Sequence, residues 1–316
     1  MTDNNTRESI MAVSEVGTEF VQSNGIRMAY QEFGDADAPV ILLVAGLYNQ
    51  LVRWPMEFCE LLVARGFRVI RFDNRDIGLT DKMEGEAAPS LFRLALNSLF
   101  GMPVKVPYSL NDMAADTVGL LDALGVEKVH IVGISMGGMI SQLVAGLYPD
   151  RVLSLTSIMS KTGAFGKGMA SLAVARQMVK PIPRGTSALD NSVKTRQMFG
   201  SPAYLKSDHD VGVAVKAEFK RSHNPAGYLR QMAAIRSAPN RDKLLKSIVV
   251  PTLIIHGNQD LLVAVSGGVE TKKQIPHAKL VRFEGMGHTL PQPLLAEFAD
   301  LIKQTADSTL TLTLTP

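Results

Sequence analysis

The chain reads as an α/β protein: a mostly parallel central sheet with helices on both faces and a helical cap inserted near one end of the sheet. Three observations point there. Strand-like and helix-like segments alternate along most of the 316 residues at the spacing of βαβ units. Several strands are unbroken apolar runs, such as VILLVA at 40–45, of the kind buried on both faces. The alternation stops between residues 161 and 240 and then resumes.

The elements follow in order. Residues 19–21 and 26–33 form a hairpin turning at Ser23-Asn24-Gly25. The run 40–45 is the first parallel strand, followed by a loop from Gly46 to Arg53. Residues 55–64 are a helix ended by Gly66, and 67–72 a second apolar strand. The interval 84–109 contains LFRLALNSLF at 91–100, read as an amphipathic helix. Residues 111–124 are a helix ended by Gly125, 129–134 a strand, 136–147 a helix and 152–159 a strand. Residues 248–256 form a fifth strand interrupted near its start by Pro251. A helix at 267–274, a strand at 279–283 and a closing helix at 291–304 complete the series. Between 161 and 240, glycines 163, 166 and 168 and prolines 181, 183, 202 and 225 cut the apolar stretches into short pieces, as in a small helical insertion. The division expected is a flexible N-terminus over 1–16, an α/β core over 17–160 and 241–306, a helical cap over 161–240 and a tail over 307–316. The alternating Thr and Leu of the last nine residues suit an extra edge strand or a disordered tail.

Composition narrows the function. Hydrophobic residues at 46% and charged residues at 20% are ordinary globular usage, which excludes a disordered or fibrous chain. A lone cysteine, Cys59, excludes an intrachain disulfide and fits a reducing compartment. The net charge is +3, unevenly spread. Residues 161–240 hold 13 Lys/Arg against 4 Asp/Glu, leaving 20 against 26 elsewhere. A basic segment on an acidic body suggests a separate structural unit, and a solvated helical surface accounts for it without a nucleic-acid or membrane partner. The first sixteen residues lack the apolar stretch of a signal peptide, and no apolar run approaches the ~20 residues of a membrane helix. A cytoplasmic protein is the expectation.

The chemistry concentrates at Gly133-Ile134-Ser135-Met136-Gly137, a G-x-S-x-G pattern where strand VHIVGI meets the next helix. A sharp strand–helix turn holds such a serine in a strained backbone conformation with its hydroxyl projecting from the sheet edge. The flanking positions need glycine because a Cβ would collide with the neighbouring strand or helix. A dinucleotide site is excluded, since Ser135 stands where G-x-G-x-x-G needs its second glycine, and no P-loop occurs.

A serine nucleophile needs a base. Of six histidines, His130 lies within a strand, His209 and His223 in the cap, and His277 in a turn. His256 ends a strand, and His288 sits in the glycine-flanked loop EGMGH directly after the last strand, where a tight loop can aim its imidazole. The base needs an acid to fix its tautomer. Asp260 follows strand VVPTLIIHG by three residues, whereas the loop after VLSLTSIM begins Ser160-Lys161 with no carboxylate. Two N–H groups should stabilise an oxyanion: Met136 at the helix start, and Leu47 in the loop after VILLVA, where Gly46 lets the backbone turn.

With these residues in view, the chain resembles the α/β-hydrolase superfamily over roughly residues 18–305, and within it the capped bacterial serine esterases of the group that includes aclacinomycin methylesterase. The resemblance rests on DNRDIGLT at 73–80, on GISMGG, and on HGNQD followed by GMGH. It implies a serine hydrolase with Ser135 as nucleophile, His288 as base, Asp260 as its orienting acid, and the oxyanion loop at Gly46 and Leu47. Many relatives carry His-Gly where this chain has Ala45-Gly46, and Thr80 stands for the more usual serine. Asp73, Arg75 and Gly78 then belong to a charge network bracing the oxyanion loop. Relatives that open epoxides or carbon–halogen bonds use an aspartate nucleophile, which Ser135 excludes. Relatives that trim N-terminal proline need acidic cap residues, and this cap has four acids against thirteen bases.

The expected activity is hydrolysis of carboxylic esters of small to medium apolar substrates through an acyl-enzyme, with no metal or organic cofactor. Pocket walls are expected from Gly46, Leu47, Met136, Leu261, Leu262 and the cap methionines Met169, Met178 and Met198, which serve equally as the cap's own core. Arg176 or Arg196 would attract a carboxylate-bearing substrate. Two alternatives stay open: a C–C bond or thioester hydrolase using the same triad, and a ligand-binding protein on a hydrolase scaffold. The partner expected is a small-molecule ester, and a homodimer is compatible with the sequence.

Overall fold

The computed structural model describes residues 17–90, 106–171 and 185–313 together with Arg93 and Val174, the side chains of 310–313 excepted. Eight strands form one sheet in the order β1-β2-β4-β3-β5-β6-β7-β8. The hairpin of β1 (Glu19–Ser23) and β2 (Ile26–Phe33) is antiparallel and turns through left-handed Asn24 and Gly25. β2 pairs antiparallel with β4 (Arg68–Phe72). From β4 onward, β3 (Val40–Val44), β5 (Val129–Ile134), β6 (Val152–Ile158), β7 (Thr252–Gly257) and β8 (Lys279–Phe283) are parallel.

The continuous apolar runs are explained by two cores. In β3, Val40, Leu42 and Val44 belong to one cluster with α2 (Leu110–Ala123) and α3 (Met136–Leu147). Ile41 and Leu43 belong to the opposite cluster with α1 (Met56–Val63) and the closing helix. Successive side chains of a strand point to opposite faces, so a strand covered on both sides is apolar at every position.

Between β6 and β7 lie α4 (Ala188–Met198), α5 (Asp208–Arg221), α6 (Pro225–Ser237) and a short α7 (Asp242–Leu245). Their starts follow local chemistry. Ser187 and Ser207 accept the N–H of Asp190 and Asp210 at 3.0 and 3.1 Å, and Pro225 occupies the first turn of α6. Then come α8 (Ser266–Gln274) and α9 (Leu295–Thr313).

Three expectations need correction or fall outside the description. β7 begins after Pro251 rather than at Ile248, because proline cannot donate to the ladder. Helix α9 continues through Thr313, over a stretch expected as strand or tail. The Thr305, Ser308 and Thr309 hydroxyls donate back to the carbonyls of Leu301, Thr305 and Ala306, and extending an existing helix avoids the cost of nucleation. The helix expected over 91–100 lies, but for Arg93, outside the described residues. No helix among the described residues is long and apolar enough to cross a membrane.

Candidate active site

Loops at the carboxyl ends of β3, β5, β7 and β8 carry the site, where ligands bind in parallel α/β sheets. Ser135 joins β5 to α3 with φ 56° and ψ −118°, a strained conformation for a residue with a Cβ. The turn is held on both sides: the Ser135 N–H donates to Ile158 O at 2.8 Å, and Ser160 Oγ donates to Ser135 O at 2.8 Å. The glycine requirement is steric. A Cβ on Gly137 would lie 2.0 Å from Val44 O, and one on Gly133 would lie 2.2 Å from Gly137 O.

Asp260 lies in the turn after β7, its side chain fully buried. Oδ1 accepts the N–H groups of Leu262 and Val263 at 2.9 and 2.8 Å, and Oδ2 accepts His288 Nδ1 at 2.7 Å. That contact leaves Nε2 as the free nitrogen of the His288 ring. His256 also lies near, 3.6 Å from Asp260 Oδ2. Burial pushes the His256 imidazole down toward its neutral form, and its Nε2 donates to Val263 O at 2.7 Å. His256 therefore props the acid turn and leaves the carboxylate to His288.

The His288 loop leans on the segment leading out of α4. His288 N–H donates to Phe199 O at 2.8 Å, Gly287 N–H to Ser201 Oγ at 3.0 Å, and Ala203 N–H to Gly285 O at 3.1 Å. Ser201 and Thr289 hydroxyls meet at 2.6 Å.

The loop after β3 abuts the elbow: a Cβ on Gly46 would lie 3.3 Å from the Ser135 Cβ. Met136, buried, and Leu47, half-buried, meet in one apolar cluster. At the start of α3 the first N–H groups have no intrahelical acceptor and face the strand ends.

Beneath this loop is the charge network anticipated from Asp73, Arg75 and Gly78. Asp73, fully buried, accepts Leu51 N–H at 2.6 Å, Leu79 N–H at 2.8 Å and Arg221 Nη1 of α5 at 2.7 Å. Asp76 is gripped by Arg230 of α6 through two bonds of 2.7 and 2.8 Å and by the Tyr108 hydroxyl at 2.8 Å. Burial opposes charge on Asp76, but the bonds from Arg230, the Met83 N–H and Tyr108 hold its carboxyl below the ordinary value. Burial and the neighbouring Asp76 push the Tyr108 phenol up. Arg75 pairs with Asp116 through two bonds of 2.5 Å, and Thr80 Oγ1 donates to Asp73 O at 2.7 Å. Two cations of the basic segment are thus spent on acids of the sheet body.

A family model for the alpha/beta hydrolase fold matches residues 39–291. The chain belongs to that family. Within it, the chain is 28% identical to rhodomycin D methylesterase DnrP of Streptomyces peucetius over 313 residues, covering 88% of this chain and 96% of that protein. Among solved structures it is similar to the enol-lactonase of Burkholderia xenovorans LB400, with TM-score 0.68, 25% identity and coverage of 93% and 100%. It is also similar to the meta-cleavage product hydrolase CumD of Pseudomonas fluorescens IP01, with TM-score 0.71, 22% identity and coverage of 92% and 97%. The resemblance to α/β-hydrolases and to the methylesterase group is borne out by these matches.

The remaining candidate residues of this α/β-hydrolase chain separate. Gly46 is buried, and Leu262 and Met198 are half-buried. Leu261 and Met169 are 46% and 54% exposed, and Met178 and Arg176 lie outside the described residues. Arg196 is committed to Glu218 by an ion pair, so it is not a free anion anchor. His130 is packed as expected: burial lowers its imidazole to about 4, and it meets Ser154 Oγ at 2.9 Å. Gln231 and Tyr48, which hold the loop after β3, carry no motif that marks them in the sequence, whereas Asn74, which also holds it, lies within DNRDIGLT.

Proposed function

We propose that this α/β-hydrolase cleaves carboxylic esters of small to medium apolar substrates, using Ser135, His288 and Asp260 as a catalytic triad beneath a helical cap over residues 161–240. The observation that carries the reading is the His288 Nδ1–Asp260 Oδ2 bond of 2.7 Å, which leaves Nε2 of the imidazole for a serine presented on a strained elbow. Ser135 Oγ attacks the ester carbonyl while His288 Nε2 takes its proton. The imidazolium, stabilised by Asp260, returns that proton to the leaving alkoxide. Water then attacks the acyl-enzyme with the same base. The N–H groups of Met136 and Leu47 stabilise each tetrahedral oxyanion, and a lost donor costs on the order of 10²–10³ in rate. Resemblance to a rhodomycin D methylesterase supports a methyl ester as a substrate form.

The test is hydrolysis of p-nitrophenyl esters of increasing acyl length, and of matched methyl esters, with Ser135→Ala in parallel. The expected result is turnover by the wild-type protein that falls on the order of 10⁴-fold or more in the variant. Folded protein that turns over none of these esters, or a variant as active as wild type, would overturn the reading.

A further inference from the structure

The Leu47 N–H belongs to a turn that does not hold itself. Asn49 N–H donates to Gly46 O at 3.1 Å, closing a four-residue turn with Leu47 and Tyr48 at its centre. Tyr48 has φ 59° while Leu47 does not enter the left-handed region, which is the type II pattern. Glycine or asparagine suits that third position, and a tyrosine there is strained and persists only where its surroundings impose the conformation.

Helix α6 supplies that imposition. The Tyr48 N–H donates to Gln231 Oε1 at 2.9 Å, and Gln231 Nε2 donates to Arg75 O at 2.9 Å. Gln231 is fully buried, and its amide meets one N–H and one carbonyl, so its two ends cannot exchange without setting donor against donor. The Tyr48 ring is held from the same side: it meets Tyr228 of α6 edge-on at 5.5 Å, and its hydroxyl pairs with Nδ1 of His223, just ahead of α6, at 2.9 Å. On the core side, Asn74 Nδ2 donates to Ala45 O at 3.0 Å. The peptide carrying the Leu47 N–H is the one whose carbonyl, Gly46 O, closes the turn. A relaxed Tyr48 would re-aim it.

We propose that Gln231 is a positioning residue through which helix α6 holds the 46–49 turn in its strained form, so that the Leu47 N–H is aimed at the oxyanion. This rests on the ester-hydrolase reading above. It makes docked α6 a condition for stabilising the transition state rather than a wall for substrate alone.

The experiment compares Gln231→Leu and Gln231→Glu in the full-length wild-type and Tyr48→Gly backgrounds. Readouts are kcat, KM and inhibition by an alkyl trifluoromethyl ketone, whose Ser135 adduct carries the oxyanion. Gln231→Leu should lower kcat about 10–10²-fold with KM within about threefold. Affinity for the ketone should fall by the same factor as kcat/KM. Gln231→Glu keeps an acceptor for the Tyr48 N–H and should lose less. Glycine adopts a positive φ freely, so the leucine penalty should shrink in the Tyr48→Gly background. An equal penalty in both backgrounds, wild-type kcat in folded Gln231→Leu, or a loss confined to KM would overturn the proposal. If the leucine variant does not fold, Gln231→Met, which likewise offers the Tyr48 N–H no strong acceptor, takes its place, and wild-type kcat and ketone affinity in that variant also overturn the proposal. Wild-type turnover and its loss in Ser135→Ala test the hydrolase reading separately, so failure of one is distinguishable from failure of the other.

Discussion

At the His288 loop, the β6–β7 insertion approaches through its main chain and the short side chain of Ser201. Phe199 O and Ser201 Oγ take the N–H groups of His288 and Gly287, and a Cβ on Gly287 would lie 2.1 Å from Gly200 O. At the loop after β3, the same insertion reaches across with side chains. Arg221 meets Asp73, Arg230 grips Asp76, Gln50 Nε2 donates to Glu218 O and Ser222 O at 2.7 and 2.9 Å, and Gln231 takes the Tyr48 N–H. One side is set by steric fit and backbone bonds, the other by buried charge. The two sides should therefore fail in different ways: one to a single added methyl group, the other to a single removed charge.

The largest effect expected is from Asp73→Asn. Asp73 is fully buried and the Arg221 side chain is 3% exposed, so neutralising one partner leaves an uncompensated buried charge. Unfolding in urea should show a loss of about 3–5 kcal/mol. A stability equal to wild type would break the comparison by showing that the ionic side is not held by charge. Next comes Gly287→Ala. The added methyl cannot coexist with Gly200 O, so the histidine loop must shift. A displacement near 1 Å costs about 10²-fold in rate, to be read as kcat/KM on the preferred ester. Unchanged turnover would show that the histidine side tolerates slack.

The smallest effect is in acid. Against the opposing effect of burial, the bonds from Arg230, the Met83 N–H and Tyr108 hold the folded Asp76 carboxyl below its ordinary value. A carboxylate depressed on folding contributes stability that is complete above the unfolded value and is lost as pH falls through the folded one. Thermal melts between about pH 5 and pH 3 should therefore show an acid-dependent loss that Asp76→Asn reduces, although that variant is less stable at neutral pH. An identical slope in both proteins would remove Asp76 from the acid response.

The two sides also differ in how far they were legible. The loops that bring His288 against Asp260 are legible because each directly follows a strand, and the order Ser135, Asp260, His288 is a matter of local signals. The helices of the insertion carried weaker signals, the Ser-x-x-Asp pairs at Ser187 and Ser207 and the proline at 225, which mark starts but not docking. The Arg196 side chain looked available to an anion in sequence, but Glu218, 22 residues on, takes it.

The sequence by itself determined the sheet, its helical layers and the loops that carry the candidate site. Period-two and period-3.6 patterning, glycine at the elbow and apolar runs are all properties of neighbouring residues, and they act before distant parts of the chain meet. Tertiary structure decided what braces the site. Arg221 reaches Asp73 across 148 positions and Gln231 reaches Tyr48 across 183. Nothing in local spacing selects one buried arginine or glutamine over another. The choice is made when helices pack over the strand ends and each buried donor must find an acceptor there.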